Sequence, residues 1–528
     1  MSGHRASESQ ATVRDRVFDL FRAFGTTTIF GNPGSTELPM FRDFSADFRY
    51  VLALQEMVAV SIADGYAQAT RNAALVNLHS ATGLGHSLGA VFTAYKNQAP
   101  LVIIAGQQAR SILPYEPFLF SERAAEFPRP YVKWSCEPAR AEDVPAAIAR
   151  AYYTAMQPPR GPTFVSVPVD DWDRHCDPVE PRQVGTAVRG DPELLAAMAG
   201  ALASCARPVF VLGAAVARDD AWDEVVALAE RHRARVWEAP NSGRNGFPED
   251  HPLFAGFLAA DRAKIVESLA GHDLILVLGA PVFTYHVEGF GPHIPENARL
   301  FQLVDDPTVA AWAPIGTAVV TNLTSGINDL LRGPEPRLRA TPVGRLPSPR
   351  VSGPGLTAAY LMQQVALLRP NGSIIVEEAP SSRGAMHDHL PIIDRDGFYT
   401  CASGGLGHGL PAAIGIALAR PREKVVALLG DGSSMYAIQG LWTATQLGLG
   451  VTFVIIKNRR YEALLEFGRH FGLQQTVGTS LPDIDFCALA RGQGVEAIAV
   501  DRCEALDDAL QTAFANVTEP TLVEVAVD

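Results

Sequence analysis

The chain has 528 residues, 47% apolar and 19% charged, with a formal net charge of −13. That is the profile of an acidic globular protein with room for about three domains of ~150 residues, and its negative balance excludes nucleic acid and anionic membrane as expected partners. Its six cysteines (Cys136, Cys176, Cys205, Cys401, Cys487, Cys503) form no Cys-x-x-Cys pair, so neither a zinc site nor a disulfide framework is expected.

Short apolar runs alternate with helical patterns along the whole chain. The first block carries runs at 28–30, 74–78, 101–105 and 163–167. The middle block carries 208–212, 236–238, 274–278 and 300–304, and the third 373–377, 425–429, 451–456 and 521–525. Continuous apolar runs of this length suit strands buried on both faces. Two Pro- and Gly-rich segments, about 176–190 and 332–355, separate the blocks; the second holds Pro334, Pro336, Pro342, Pro347, Pro349 and Pro354. The reading is α/β, with three doubly wound parallel-sheet domains at 1–175, 191–331 and 356–528.

In chain order, the first signal is Gly31-Asn32-Pro33-Gly34-Ser35-Thr36-Glu37, a turn after a strand with Ser35 or Thr36 as helix cap. Next, Glu56 opens a helix after the run 50–54. Asn77-Leu78-His79-Ser80 then ends a strand in a glycine-rich turn. The middle block's Leu212-Gly213-Ala214 lacks Gly-x-Gly-x-x-Gly, so no dinucleotide is expected there. In the third block, a strand at 425–429 meets Gly430-Asp431-Gly432, a helix is expected over 435–447, and the strand 451–456 ends near Asn458. In such a βαβ unit the strands are parallel neighbours, so Asp431 and Asn458 share the carboxyl edge where open α/β sheets bind ligands. Two oxygen donors beside a glycine turn suit a hard cation bridging to phosphate.

These motifs, in this order, resemble the thiamine-diphosphate-dependent decarboxylase and carboligase family across nearly the whole chain. The resemblance adds Gly404-Gly405-Leu406-Gly407 and the segment 410–415 as the stretch beneath the cofactor. It implies a pyrimidine-binding first domain, a middle domain and a diphosphate-binding third domain. It implies thiamine diphosphate held with magnesium (calcium as the alternative) by Asp431, Asn458 and the carbonyl of Arg460. It makes Glu56 the proton partner of the pyrimidine ring. Gly404, Leu406, Gly430, Gly432, Ser433 and Tyr461 become further cofactor contacts. It also implies sites shared between subunits, hence a dimer, with pairing into tetramers.

Within the family the segments are similar to those of the benzoylformate decarboxylases. Ser35 matches the active-site serine, His79 the catalytic histidine, and His286 the histidine supplied by the middle domain. His86 and His408 are expected to serve structure. Leu119, Thr400, Ala463, Leu464 and Phe467 join Ser35 and His79 as pocket positions. Gln107-Gln108 stands where pyruvate decarboxylases have His-His. The chain departs from the pattern at Thr400 (an aromatic position), Pro380 (a threonine), Glu462 (a glycine) and Lys457 (often asparagine). The resemblance implies decarboxylation of an aromatic 2-oxo acid to an aldehyde, with carboligation as a side activity. An acetolactate-synthase-like carboligase is the alternative within the family, and a non-catalytic paralogue the alternative outside enzymes. No apolar run reaches the ~18 residues of a membrane span, and the cytoplasm is the expected location.

Overall fold

The computed structural model describes residues 11–353 and 355–528; residues 1–10 of the expected first domain and Pro354 of the expected linker lie outside them. Among the described residues, eighteen strands form three six-stranded parallel sheets. The first contains β1 (Thr28–Asn32), β2 (Arg49–Leu52), β3 (Ala74–Leu78), β4 (Leu101–Gln107), β5 (Ser135–Cys136) and β6 (Thr163–Pro168), in the order β2-β1-β3-β4-β6-β5. The second contains β7 (Pro208–Leu212), β8 (Arg235–Glu238), β9 (Phe254–Phe257), β10 (Leu274–Leu278), β11 (Arg299–Val304) and β12 (Thr317–Val320), in the order β12-β11-β10-β7-β8-β9. The third contains β13 (Ile374–Glu378), β14 (Phe398–Thr400), β15 (Val425–Gly430), β16 (Thr452–Lys457), β17 (Glu496–Val500) and β18 (Thr521–Ala526), in the order β14-β13-β15-β16-β18-β17. Every residue of β3, β4, β6, β7, β10 and β13 is buried, because helices cover both faces.

Two compact units emerge: residues up to Gly185 with Ser403–Val500 and Thr512–Ala526, and Thr186–Ala402 with Asp501–Gln511 and Val527–Asp528. Within the first, the helix Glu56–Thr70 packs on the helix Gly409–Ala419 at backbone distance. A Cβ on Gly65 would lie 2.3 Å from the Ala412 carbonyl oxygen, and one on Gly415 1.9 Å from that of Ile62. Beside this crossing, Asp64 is buried and accepts from Asn97 Nδ2 at 2.9 Å and from Gln68 Nε2 at 2.5 Å, with His408 Nε2 at 3.4 Å. His408 therefore sits in a buried polar knot.

The helix expected over 435–447 is interrupted. A single helical turn, Asp431–Ser434, is followed by turns, and the helix resumes at Gly440–Leu447. The hydroxyls of Ser433 and Ser434 both donate to the Gly430 carbonyl, at 3.0 and 2.7 Å, and so compete with the regular helical ladder.

In the second unit, the described residues of the linker-like segment 332–355 form no regular element, yet the segment is anchored. Arg339 is buried and donates to the carbonyls of Cys205 (3.1 Å), Ala203 (3.0 Å), His232 (3.0 Å) and Leu202. Leu202, Ala203 and His232 lie in the last turns of Pro192–Ser204 and Trp222–His232, whose carbonyls lack helical partners. One guanidinium thus caps two helices. Burial, then the Arg339 charge, push the His232 imidazole down to about 4.

Replacing Arg339 by Met should leave several buried carbonyls unpaired and cost on the order of 3 kcal/mol. Urea unfolding followed by tryptophan fluorescence would report it; an unchanged midpoint would remove Arg339 from this role. His232 takes up a proton more readily unfolded than folded. Its contribution to stability is full above pH 6.5 and is lost as the pH falls towards about 4. A His232→Gln variant should show a shallower acid limb in the same assay.

Candidate active site

β1 and β3 are parallel neighbours with Asn32 opposite Leu78, so the turn after β1 and His79 leave the same sheet edge. His79 occupies the N-cap position of the helix Ser80–Asn97, with no side-chain cap hydrogen bond. Its Nδ1 lies 3.0 Å from Glu37 Oε2 and 3.3 Å from Thr36 Oγ1. Glu37 is buried, and its carboxylate also accepts from the Gly34 N–H (2.8 Å), the Gly106 N–H (2.9 Å) and the Thr36 hydroxyl (2.6 Å). A carboxylate fixed by that many donors fixes the ring in turn. It calls for hydrogen on Nδ1 and leaves Nε2 for other chemistry. A Cβ on Gly34 would lie 2.1 Å from His79 Nδ1, so only glycine lets the ring lie here. Ser35 is exposed on the same turn.

Glu56 is the first residue of its helix, where Gln55 caps by accepting from the Val58 N–H at 3.2 Å. Its carboxyl group lies along Ser80–Asn97. Oε2 is 3.2 Å from His86 Nδ1, and Oε1 would be 3.1 Å from a Cβ on Gly83. Glu56 and His79 thus border one helix surface at Gly83, and His86 meets Glu56 on it.

The pair Gln107-Gln108 has a different task from an imidazole pair. Gln107 Oε1 accepts from the backbone of Gln108 and Ser121, its Nε2 donates to the Ser121 carbonyl at 2.8 Å, and Gln108 Nε2 donates to the Phe118 carbonyl at 2.8 Å. These bonds shape the loop that holds Leu119, which is half-buried with φ +64°. In the helix Glu462–His470, Ala463 and Phe467 are half-buried and Leu464 is exposed.

At the third sheet, β15 and β16 pair in parallel with Gly430 opposite Ile456. Asp431 and Asn458 each follow the end of their strand by one residue, at the same edge, as the spacing implied. Asp431 is buried and accepts from the N–H groups of Gly432 (2.8 Å) and Arg459 (2.6 Å). Burial raises its carboxyl group above the usual range, against the pull of these backbone donors. Among the described residues no cationic side chain pairs with it. A buried carboxylate with only backbone donors, at the same sheet edge as Asn458, fits a divalent cation. Gly432 faces Tyr461 so closely that a Cβ would lie 2.2 Å from the ring. Ser433 is buried in the helical turn that follows Gly430.

The departures in this loop are locally satisfied. Lys457 Nζ lies 2.6 Å from Glu524 Oε1. Among the described residues, Asp485, Cys487 and Glu524 are the one group of carboxylates and thiols close enough to share an ion, and Lys457 already supplies the positive charge there. Glu462 accepts from Arg460 Nε at 2.5 Å and Arg469 Nη2 at 3.1 Å; the Arg460 bond holds its carboxyl group below the usual range. Arg460 is exposed. Gly404, with φ +72°, and half-buried Leu406 lead into the helix Gly409–Ala419.

Two expected site residues belong to the second unit. Thr400 ends β14 opposite Glu377 of β13. Its hydroxyl donates to Glu377 Oε2 at 2.8 Å and accepts from Arg383 Nη2 at 3.1 Å. His286 is exposed on the loop after β10, where its N–H donates to the Ala260 carbonyl at 2.9 Å. Sequence reasoning missed Glu37, and it assigned His86 to structure. A lone acid inside a Gly-Ser-Thr turn was the available signal for Glu37.

Three family models match the chain: the N-terminal thiamine pyrophosphate binding domain at 11–122, the central domain at 195–330 and the C-terminal thiamine pyrophosphate binding domain at 381–525. The benzoylformate decarboxylase of Pseudomonas aeruginosa is 42% identical over 520 residues, covering 97% of this chain and 98% of that protein. The crystal structure of benzoylformate decarboxylase from Polynucleobacter necessarius superposes with a TM-score of 0.96 at 39% identity, covering 98% of each chain. The thiamine diphosphate-dependent 4-hydroxybenzoylformate decarboxylase of Rhodococcus jostii RHA1 does so with a TM-score of 0.95 at 42% identity, covering 98% of this chain and 99% of that one. With its three sheets and all three domain models in order, the chain belongs to the thiamine pyrophosphate enzyme family.

Proposed function

We propose that this protein is a carboxy-lyase that converts an aromatic 2-oxo acid of the benzoylformate type to the aldehyde and carbon dioxide, with carboligation as a side activity. The observation that carries this reading is His79, oriented by buried Glu37 beside the Ser35 turn. When bound, thiamine diphosphate supplies the electron sink for decarboxylation. The residues of the chain then hold it and manage protons. Asp431, Asn458 and the Arg460 carbonyl would hold magnesium, and Gly430, Gly432, Ser433, Tyr461, Gly404 and Leu406 would bed the cofactor. Glu56 would share a proton with the pyrimidine. Ser35 would hydrogen-bond the substrate, and His79 Nε2 and His286 would carry protons to and from it. Leu119, Thr400, Ala463, Leu464 and Phe467 would surround its side chain. The domain assignment 1–175, 191–331 and 356–528 follows the same reading. As the family resemblance implies, the proposal includes sites completed by a second copy, in dimers that pair into tetramers.

An acetolactate-synthase-like activity is disfavoured because nothing in joining two 2-oxo acids calls for this fixed imidazole. A panel of 2-oxo acids settles the choice. We expect kcat/KM for benzoylformate to exceed that for pyruvate by well over tenfold, about 1.4 kcal/mol or more of discrimination. Acetolactate as the main product from pyruvate would overturn the reading.

Glu37→Gln should lower kcat by about 10–100-fold while leaving cofactor affinity in place, since the Glu37 carboxylate bonds to His79, Thr36, Gly34 and Gly106 and to none of the residues assigned to the cofactor. Isothermal titration with thiamine diphosphate and steady-state kinetics separate the two; equal kcat values would dismiss the role. Asp431→Ala should abolish tight cofactor binding, and chelation should inactivate the wild-type enzyme until magnesium and cofactor are returned. Full activity in a verified metal-free, cofactor-free preparation would contradict the metal assignment.

A further inference from the structure

The helix Ser80–Asn97 presents Gly83 and His86, three residues apart, along one face, with His79 at its N-cap position. The Glu56 carboxyl group, which enters from a different helix, lies along this face. A Cβ on Gly83 would stand 3.1 Å from Glu56 Oε1 and 3.4 Å from His79 Cβ, so the bare glycine surface makes the room. The other oxygen, Oε2, meets His86 Nδ1 at 3.2 Å. The Glu56 side chain is only 14% exposed, whereas that of His86 is 57% exposed. The imidazole therefore reaches in from the protein surface to hold a sheltered carboxyl group.

We propose that His86 is the positioning residue for Glu56, and that it holds the carboxyl group in the orientation needed for proton sharing with the cofactor's pyrimidine. This rests on the reading of Glu56 given above. A glutamate side chain has several rotatable bonds, and in a sheltered site a misdirected carboxyl group loses its reaction. The imidazole suits the task because its ring nitrogen can donate to a carboxylate or accept from a protonated carboxyl group. The contact can thus persist on both sides of the proton transfer. A leucine at position 86 would fill the space and make no such bond. An asparagine would restore a donor or acceptor near the Nδ1 position without the ring.

The test uses full-length protein loaded with magnesium and thiamine diphosphate. Hydrogen–deuterium exchange at the cofactor's C2 atom is followed by quenched-flow NMR, and cofactor affinity of the apoenzyme by titration calorimetry. His86→Leu should slow exchange by about tenfold or more, with affinity little changed. His86→Asn should recover most of the wild-type rate. In a Glu56→Gln background, His86→Leu should have no further effect, because its target is gone. Wild-type exchange in His86→Leu would overturn the proposal. So would a loss in His86→Asn as large as in His86→Leu, or the same loss in the Glu56→Gln background. If Glu56→Gln itself exchanges at the wild-type rate, the reading of Glu56 fails, and that result is distinguishable from any failure at His86.

Discussion

The contact between the helices Glu56–Thr70 and Gly409–Ala419 is the constraint on which the first unit depends. Gly65 and Gly415 remove two side chains where the backbones meet, and no larger residue fits either place. The first helix begins with Glu56, and the second directly follows Gly404 and Leu406. A packing contact deep in the protein therefore sets the spacing between Glu56 and the Gly404–Leu406 segment of the same chain. The buried Asp64, Asn97 and His408 knot locks the same crossing with directional bonds, which a purely apolar interface would lack. His79 is tied in as well, since Asn97 ends the helix whose N-cap position His79 occupies.

How much of the fold could be read depends on where each strand lies. The twelve apolar runs found in the sequence correspond to β1, β3, β4 and β6, to β7, β8, β10 and β11, and to β13, β15, β16 and β18. These are the four central strands of each sheet. The other six, β2, β5, β9, β12, β14 and β17, are the two edges of each sheet. A central strand must be apolar on both faces and so announces itself. An edge strand need not be: β12 buries only one of four residues fully, β17 one of five, and β5 is two residues long. The run before Glu56 reads as a lead-in to a helix, yet its paired part, β2, buries a single residue and shows no alternating pattern.

The site divides in the same way. Asp431 and Asn458 were legible because each is one residue beyond a buried strand, and parallel neighbours bring such positions to one edge. Glu37 and His86 were not, because their importance lies in side-chain contacts across 42 and 30 residues of chain. Nothing in the local pattern distinguishes Glu37 from a helix-capping acid, and the expected cap does not form: a 3-10 turn, Leu38–Phe41, follows with no side-chain cap. Only the ring of donors around its carboxylate reveals that it is there for His79.

The departures from the family pattern show how a sequence changes near a reactive centre without disturbing it. Lys457 is paired with Glu524, and Glu462 with Arg460 and Arg469, so each departing charge meets an opposite one. Thr400 is the sharper case. Its hydroxyl spends its hydrogen on Glu377 and accepts one from Arg383, and Glu377 is itself buried. A hydroxyl so engaged has little hydrogen-bonding capacity left for a substrate. On the proposed reading, Thr400 in place of an aromatic residue would therefore change the volume available to the substrate's side chain far more than the polarity it meets. The consequence, on the proposed reading, is a preference that stays apolar but accommodates a larger or ring-substituted aryl group.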